Sequence, residues 1–179
     1  MAAASNPSPP RFGWVAPSPK RNIIVGMADM SASNDPNSTL VTYSLGSCVG
    51  VSVYDPVARV GGLLHVKLPD STINPELAAK QPYIFVDTGV PALFHAVYAM
   101  GAIKHRIVVK LVGGAQFLDE KGIFNIGTRN AQATLAILAR NGVVASGTAL
   151  GGQHSRTVRL DVANGTFTIE IPGYEPFTL

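Results

Sequence analysis

The chain has 179 residues, of which 46% are apolar and 14% are charged, with a formal net charge of +3. These values predict one folded domain with its own core and exclude a disordered chain. The charges are scattered and form no basic run, so nucleic acid is not favoured as a partner. A single cysteine excludes an internal disulfide and the usual multi-cysteine zinc sites, so we expect no metal and no cofactor.

The first 20 residues are rich in alanine, serine and proline, and their prolines exclude a helix or a central strand. We therefore predict a flexible N-terminal tail over 1–20 and a single domain over 21–179. The sequence shows neither a signal peptide nor an apolar run of membrane-spanning length. We expect a cytoplasmic monomer that does not insert into membranes.

The hydrophobic pattern predicts about eight strands, two helices and three longer loops. The first helix either begins near Pro91 or is kinked there, and Asn164-Gly165 predicts the turn of a hairpin. The strands are predicted at 22–26, 39–44, 49–54, 60–66, 107–112, 143–150, 156–162 and 166–171. The helices are predicted at 83–100 and 129–141, and the loops at 31–38, 69–82 and 116–125. This order favours an α+β fold of antiparallel or mixed sheets with the helices on one side.

The only cysteine lies between two glycines, Gly46 and Gly50, with a predicted strand on either side. His65 ends the strand after the next turn, so a hairpin could bring its imidazole beside the Cys48 thiol. A thiol attacks strongly only as thiolate, and a neighbouring imidazole can take its proton. We therefore interpret Cys48 as a nucleophile and His65 as its base.

Two further groups would complete such a site. The Thr42 hydroxyl could hold the imidazole in the right tautomer, and even spacing places Thr42 on the same strand face as Ser44. Backbone N–H groups from Gly46 through Ser47 to Gly50 could bind the oxyanion of a substrate, because glycine leaves the backbone exposed.

Other interpretations of the same residues remain open. A lone cysteine in an apolar setting is often a small core residue. Gly46 to Gly50 also has the form of a nucleophile elbow, but that motif needs a helix after the turn and a strand follows here. Gly113-Gly114 could bind a phosphate, although a tight turn is favoured because no Lys-Ser or Lys-Thr follows.

Two more regions are candidates for contact with a substrate. Arg129 and Asn130 open the second predicted helix and either orient a substrate loop or serve as a cap or surface contact. Gln153 lies in a glycine-rich loop that could border the cleft, and such loops often carry function.

Six runs of residues together carry a family resemblance. They are TYSLGSCVGV (42–51), YDP (54–56), GGLLHVKLP (61–69), KLVGGA (110–115), NIGTRN (125–130) and GGQHSR (151–156). In this order they resemble the CheD family, the chemoreceptor glutamine deamidases, over roughly residues 22 to 171. Ser155 departs from the family pattern, which more commonly has glycine before the arginine.

The resemblance implies that the catalytic Cys, His and Thr of that family fall on Cys48, His65 and Thr42. It implies hydrolysis of selected glutamine side chains to glutamate on the cytoplasmic helical bundle of methyl-accepting chemoreceptors, in support of chemotactic adaptation. Some members are also credited with hydrolysing methyl esters there.

For the fold, the resemblance implies two packed sheets with helices against one of them, akin to the catalytic domain of deamidating toxins. It also implies a CheC-type phosphatase as a partner that competes with receptors for the active-site face. Two alternatives stay open. One is a binding module that docks the phosphatase or a receptor, with catalysis secondary, and the other is a thiol hydrolase of small amides.

Overall fold

Ten strands and three α-helices lie in the residues that the computed structural model describes, 20–116 and 125–179. The strands are β1 (Arg21–Ile24), β2 (Asp29–Ser33), β3 (Ser38–Leu45), β4 (Val49–Asp55), β5 (Val60–Val66), β6 (Val108–Gly113), β7 (Gly147–Leu150), β8 (Arg156–Asp161), β9 (Phe167–Glu170) and β10 (Phe177–Thr178). The helices are α1 (Pro75–Lys80), α2 (Val86–Ala99) and α3 (Ile126–Arg140).

The strands form two mixed sheets of five strands each. The first sheet has the order β1-β3-β8-β9-β10, and the second has the order β2-β5-β4-β6-β7. The β1–β3 and β6–β7 pairs are parallel and the other pairs are antiparallel. The predicted α+β class with two packed sheets and two main helices is thus confirmed, whereas the relation to toxin domains stays a prediction.

The second sheet lies in the middle and is buried on both faces. Val49, Val51 and Val53 of β4 pack with residues of α2 and α3 in one apolar cluster. Cys48, just before β4, and Tyr54 in it lie at alternate positions and belong to a second cluster shared with the first sheet. Successive side chains of a strand point to opposite faces, so odd positions of β4 face the helices and even positions face the other sheet.

The hairpin predicted at Asn164-Gly165 is confirmed, since β8 and β9 pair on either side of it. Gly165 has a φ of +74°, and the Tyr54 ring occupies the space that a side chain there would need. Most predicted strands are also confirmed, although β7 begins at Gly147 rather than at residue 143.

The loop predicted at 31–38 was wrong in its first half, where Asp29–Ser33 forms β2. This strand pairs with β5, so its backbone groups gain ladder partners although serine and aspartate have a low strand propensity. The strand extends to Ser33, and only 34–37 remain as a loop, with a turn at 36–37.

The loop predicted at 69–82 was also wrong, because it contains α1, the 3-10 turn Ser71–Ile73 and the first residue of a second 3-10 turn, Pro82–Ile84. Asn74 caps α1 by accepting a 3.0 Å bond from the Leu77 N–H, and Pro75 follows at the first helical position, where its missing N–H costs nothing. The next helix, α2, begins at Val86 and therefore contains Pro91 within it.

Two predictions fall largely outside the described residues, namely the tail over 1–20 and the loop over 116–125, of which 20, 116 and 125 are described. None of the described helices combines the length and the apolar character that crossing a membrane requires.

Candidate active site

Two polar residues, one from each sheet, are in contact in the layer between the sheets. Thr42 lies on β3 of the first sheet and His65 on β5 of the second. Thr42 is 0% and His65 is 2% exposed, and Thr42 Oγ1 lies 2.8 Å from His65 Nδ1. At that distance the two groups share a hydrogen bond shielded from water, which fixes the orientation of the imidazole ring.

A bulge in β3 directs Thr42 inward and the following residues outward. The register of β3 against β8 shifts between Thr42 and Leu45, and Ser44 has a φ of +56°. Tyr43 and Ser44 are exposed while Thr42 is buried. The expectation that Thr42 and Ser44 share a strand face is therefore wrong, because the bulge breaks the period of two that it assumed.

Cys48 lies on the same sheet face as His65. It directly precedes β4, and the β4–β5 register pairs Gly50 with His65. Cys48 is therefore a diagonal neighbour of His65, and in a regular antiparallel ladder such neighbours lie about 7–8 Å apart. The Cys48 side chain packs in the layer between the sheets and is 8% exposed.

Backbone contacts with the turn after β6 hold the cysteine loop in place. Gly114 N–H donates to Cys48 O and Ala115 N–H donates to Gly46 O, both at 2.8 Å. Gly113 has a φ of +110°, and Cys48 O occupies the space that a Cβ at Gly113 would need. The Gly113-Gly114 pair thus serves close backbone packing against the cysteine loop, as the tight-turn interpretation expects.

A buried amide on α3 joins the cysteine loop to the histidine strand. Asn130 is 0% exposed, and its Nδ2 donates to Ser47 O at 2.9 Å and to Lys67 O at 2.8 Å. The helix can come this close because Gly127 has no side chain. A Cβ there would lie 2.5 Å from Ala115 O and 2.6 Å from Gly114 O. Asn130 is therefore neither a helix cap nor a surface contact.

The four residues predicted to contact the substrate lie on three segments, and three of the four are exposed. Ser47 and Arg129 are exposed, on the cysteine loop and on α3, whereas Gly46 is buried. Gln153 is exposed on the loop 151–155. That loop is tied to the site by the Gly151 N–H, which donates to Gly113 O at 2.8 Å, and by the Gln116 N–H, which donates to Gly152 O at 3.0 Å.

Burial favours the neutral form of both the Cys48 thiol and the His65 imidazole. It raises the pKa of the Cys48 thiol, against which the Lys67 charge and the N–H of Cys48 itself act in the opposite direction. Burial also lowers the pKa of His65 to about 4. At neutral pH the pair is therefore a thiol and a neutral imidazole rather than an ion pair.

The two ring nitrogens of His65 differ in their hydrogen bonding, since only Nδ1 contacts Thr42. His65 Nε2 is buried and has no hydrogen-bond partner among the residues that the structure describes. A buried polar atom without a partner is costly in a purely structural residue, and it is what a base awaiting a proton needs. Within 20–116 and 125–179, no three Asp, Glu, His or Cys side chains come together as a metal site would require.

Comparison with known proteins gives one consistent result. The family model described as "CheD chemotactic sensory transduction" matches residues 67–171. The chain is 45% identical over 151 residues to "Probable chemoreceptor glutamine deamidase CheD" of Solibacter usitatus, covering 84% of this chain and 89% of that protein. It is 46% identical over 154 residues to a protein of the same name from Desulforamulus reducens, covering 84% and 91%. "Probable chemoreceptor glutamine deamidase CheD 1" of Syntrophus aciditrophicus is 41% identical over 152 residues, covering 85% and 95%.

Each of these alignments covers at least 84% of the chain, so too few residues lie outside it to leave out Thr42, Cys48 or His65. The chain belongs to the CheD family.

Proposed function

We propose that this protein hydrolyses the side-chain amide of glutamine residues in chemoreceptors, giving glutamate and ammonia. The observation that carries the proposal is the Thr42–His65 hydrogen bond of 2.8 Å beside the Cys48 loop, in a chain of the CheD family. The relatives' names state the same substrate and reaction for those proteins. We assign Cys48 as nucleophile, His65 as base and acid, and Thr42 as the group that orients His65.

The first half of the reaction forms a thioester. With the His65 Nδ1–H donating to Thr42 Oγ1, His65 Nε2 carries a lone pair and takes the proton from Cys48 Sγ. The sulfur attacks the amide carbon, a C–S bond forms, and the carbonyl π electrons move onto oxygen. The oxyanion then re-forms the carbonyl, the C–N bond breaks, and the imidazolium gives its proton to the leaving nitrogen, which departs as ammonia.

The second half releases glutamate. His65 Nε2 takes a proton from water, the hydroxyl oxygen attacks the thioester carbon, and the C–S bond breaks. The proton returns to the Cys48 sulfur and the enzyme is regenerated. A glutamate methyl ester enters the same thioester with methanol as the leaving group, so we propose methyl-ester hydrolysis as a second activity of the site.

The neutral resting pair fits this order of events. Because the pKa of His65 is lowered to about 4 and that of Cys48 is raised, the proton rests on sulfur until a substrate is bound. An uncharged thiol 8% exposed is a poor target for chance electrophiles. We infer that proton transfer and attack are coupled in the complex, where the developing charge gains hydrogen bonds.

The surroundings of the thiol supply the remaining parts. We assign backbone N–H groups of the Gly46–Gly50 turn to the oxyanion, and the exposed Ser47, Arg129 and Gln153 to contacts with the substrate protein. The substrate would be the cytoplasmic helical bundle of a receptor, and a CheC-type phosphatase would compete for the same face. We propose 21–179 as the catalytic domain, acting as a cytoplasmic monomer.

The test is ammonia release from a purified cytoplasmic receptor fragment, with glutamine-to-glutamate conversion followed by mass spectrometry. The wild-type chain should convert a small set of glutamines, and Cys48→Ala should retain its fold and convert none. A Cys48→Ala protein that converts them at the wild-type rate would refute the mechanism. A wild-type protein that binds the fragment without converting it would favour the binding module.

A further inference from the structure

The Asn130 side chain makes contacts that helix formation does not require. Its two N–H bonds reach backbone oxygens of different segments, Ser47 in the cysteine loop and Lys67 just after β5. The backbone of Asn130 is itself held, because Thr134 Oγ1 donates to Asn130 O at 2.8 Å and Thr134 is 0% exposed. One fixed amide thus sets the direction of two carbonyl groups at the site.

Fixing the Ser47 carbonyl also fixes the next N–H. The described chain has no cis peptide bond, and in a trans peptide the C=O and N–H point in opposite directions. Since Ser47 O points at Asn130 on α3, the Cys48 N–H points away from α3. No turn or loop bond between described backbone groups uses that N–H as a donor.

The Cys48 N–H belongs to the same residue as the thiol and its nitrogen is three bonds from the sulfur, so the two groups lie close together. When the sulfur attacks an amide carbon, the substrate oxygen is two bonds from the sulfur and takes the negative charge. A donor held beside the sulfur therefore meets that oxygen as its charge develops.

We propose that Asn130 is a positioning residue that orients the Ser47–Cys48 peptide so that the Cys48 N–H stabilises the oxyanion. This inference rests on the proposed function and adds a residue to it. Asparagine fits the role because two backbone carbonyls must be bound at once and its amide supplies two N–H donors without charge. The cost is visible in Asn130 Oδ1, which is buried and has no partner among the described residues.

The experiment separates oxyanion stabilisation from thiol reactivity. Asn130→Asp keeps the shape but leaves at most one donor, that of a protonated carboxyl, and Asn130→Ala, which leaves none, is the second variant, should the aspartate not fold. Asn141→Asp is the matched control, because Asn141 lies at the other end of α3 and its Nδ2 donates to Ile137 O at 2.8 Å. Each protein is tested for ammonia release from the receptor fragment and for iodoacetamide alkylation across pH, which reports only Cys48 because the chain has no other cysteine.

The Asn130 variants should lose ammonia release but keep the alkylation rate, whereas Asn141→Asp should keep both. In the Asn130 variants kcat should fall about 30- to 100-fold with KM little changed, since one oxyanion donor is lost. Alkylation needs no oxyanion donor, so its rate and pH profile should stay within about threefold of wild type. Asn141→Asp should change neither readout.

Three outcomes would overturn the inference. They are an unchanged kcat in the folded Asn130 variants, an equal loss of kcat and alkylation rate, and the failure of both Asn130 variants to fold. The first two would assign Asn130 no role or a general structural one, and the third would make it a stability element. An inactive wild-type chain would instead refute the proposed function itself.

Discussion

The two ends of β4 carry buried polar groups that are satisfied to different degrees. At one end, Asp55 is 0% exposed and accepts bonds from Arg106 at 2.8 and 3.0 Å and from the N–H groups of Val57, Ala58 and Ile103. Burial alone would raise the pKa of Asp55, but these bonds hold it well below its usual range. At the other end, His65 Nε2 and Asn130 Oδ1 lack partners among the described residues.

In the proposed mechanism, this difference separates a structural site from a reactive one on the same strand. Every donor around Asp55 is matched, so that end gives stability and offers nothing to a substrate. At the Cys48 end the thiol and the His65 imidazole are neutral, and two buried polar atoms lack partners among the described residues, at a cost in stability that packing elsewhere must offset. Changes at the Asp55 end should therefore alter folding, and changes at the Cys48 end should alter chemistry.

The largest effect is expected from His65→Gln, which is similar in size but supplies no base. Ammonia release should fall about 10³-fold, because the thiol loses its proton acceptor. The measurement is kcat on the receptor fragment, with His105→Gln as a control on an exposed turn. Equal activity in the two variants would remove the distinction between the ends of β4.

Asp55→Asn should act on stability and leave the chemistry intact. Removing the charge leaves the Arg106 guanidinium without its buried partner, so the free energy of unfolding should fall by about 3 kcal/mol. Denaturant titration measures this, and Asp87→Asn, where the carboxylate accepts bonds only from Ser71 among the described residues, should cost less. A loss of kcat per folded molecule would contradict the division of roles.

The pH dependence of stability should reveal the buried neutral imidazole. The pKa of His65 is about 4 when folded, against an ordinary value of 6.5. As pH falls below 6.5 the unfolded chain takes up the proton first, so stability contributed by His65 is complete above pH 6.5 and lost towards pH 4. The loss should reach about 3 kcal/mol.

The difference between wild type and His65→Gln isolates this contribution from the carboxylates that also titrate. Denaturant titrations at pH 7, 5.5 and 4.5 should show the gap between the two proteins shrinking as pH falls. A gap that stays constant would show that His65 is not buried as a neutral group.

Thr42→Val removes the partner of His65 Nδ1 while keeping nearly the same shape. Activity should fall about 10- to 30-fold, because the ring keeps its place but not its preferred tautomer. The control is Thr39→Val, three positions earlier on β3. If Thr42→Val is as active as the control, Thr42 has no role in orienting His65.

The smallest effect is expected from Lys67→Gln. Lys67 is exposed, so water and salt screen its charge, yet that charge lowers the pKa of the Cys48 thiol. Alkylation of Cys48 at pH 7.5 should slow about two- to threefold at low ionic strength, and the difference should shrink in high salt. Lys104→Gln, an exposed lysine in a turn between α2 and β6, should leave the alkylation rate unchanged.

The sequence indicated those features of the site that follow from residue type. The structure added those that follow from contacts between segments far apart in the sequence. The period-two pattern of β4 and the single cysteine beside glycines were sufficient to predict the strand and the candidate nucleophile. The bulge at Ser44 could not be predicted, since it depends on how β3 pairs with β8. For the same reason β2 was predicted as a loop, because its pairing with β5 overrides a weak local propensity.

The role of Asn130 could not be predicted from the sequence either. Its place in the sequence indicated the start of a helix, where asparagine is usually a cap or a surface residue. Only the close approach of Gly127 to Gly114 and Ala115 brings that helix face onto the cysteine loop. Contacts between distant segments decide such roles, and residue type alone does not record them.

The proposed reaction passes through an acyl bond to Cys48. Hydroxylamine added during deamidation of the receptor fragment tests this, because it intercepts a thioester and converts the acyl group to a hydroxamate. We expect hydroxamate on the same glutamines at the expense of glutamate, and neither product with Cys48→Ala. Glutamate formed without hydroxamate in excess hydroxylamine, at a rate that Cys48→Ala retains, would exclude the thioester.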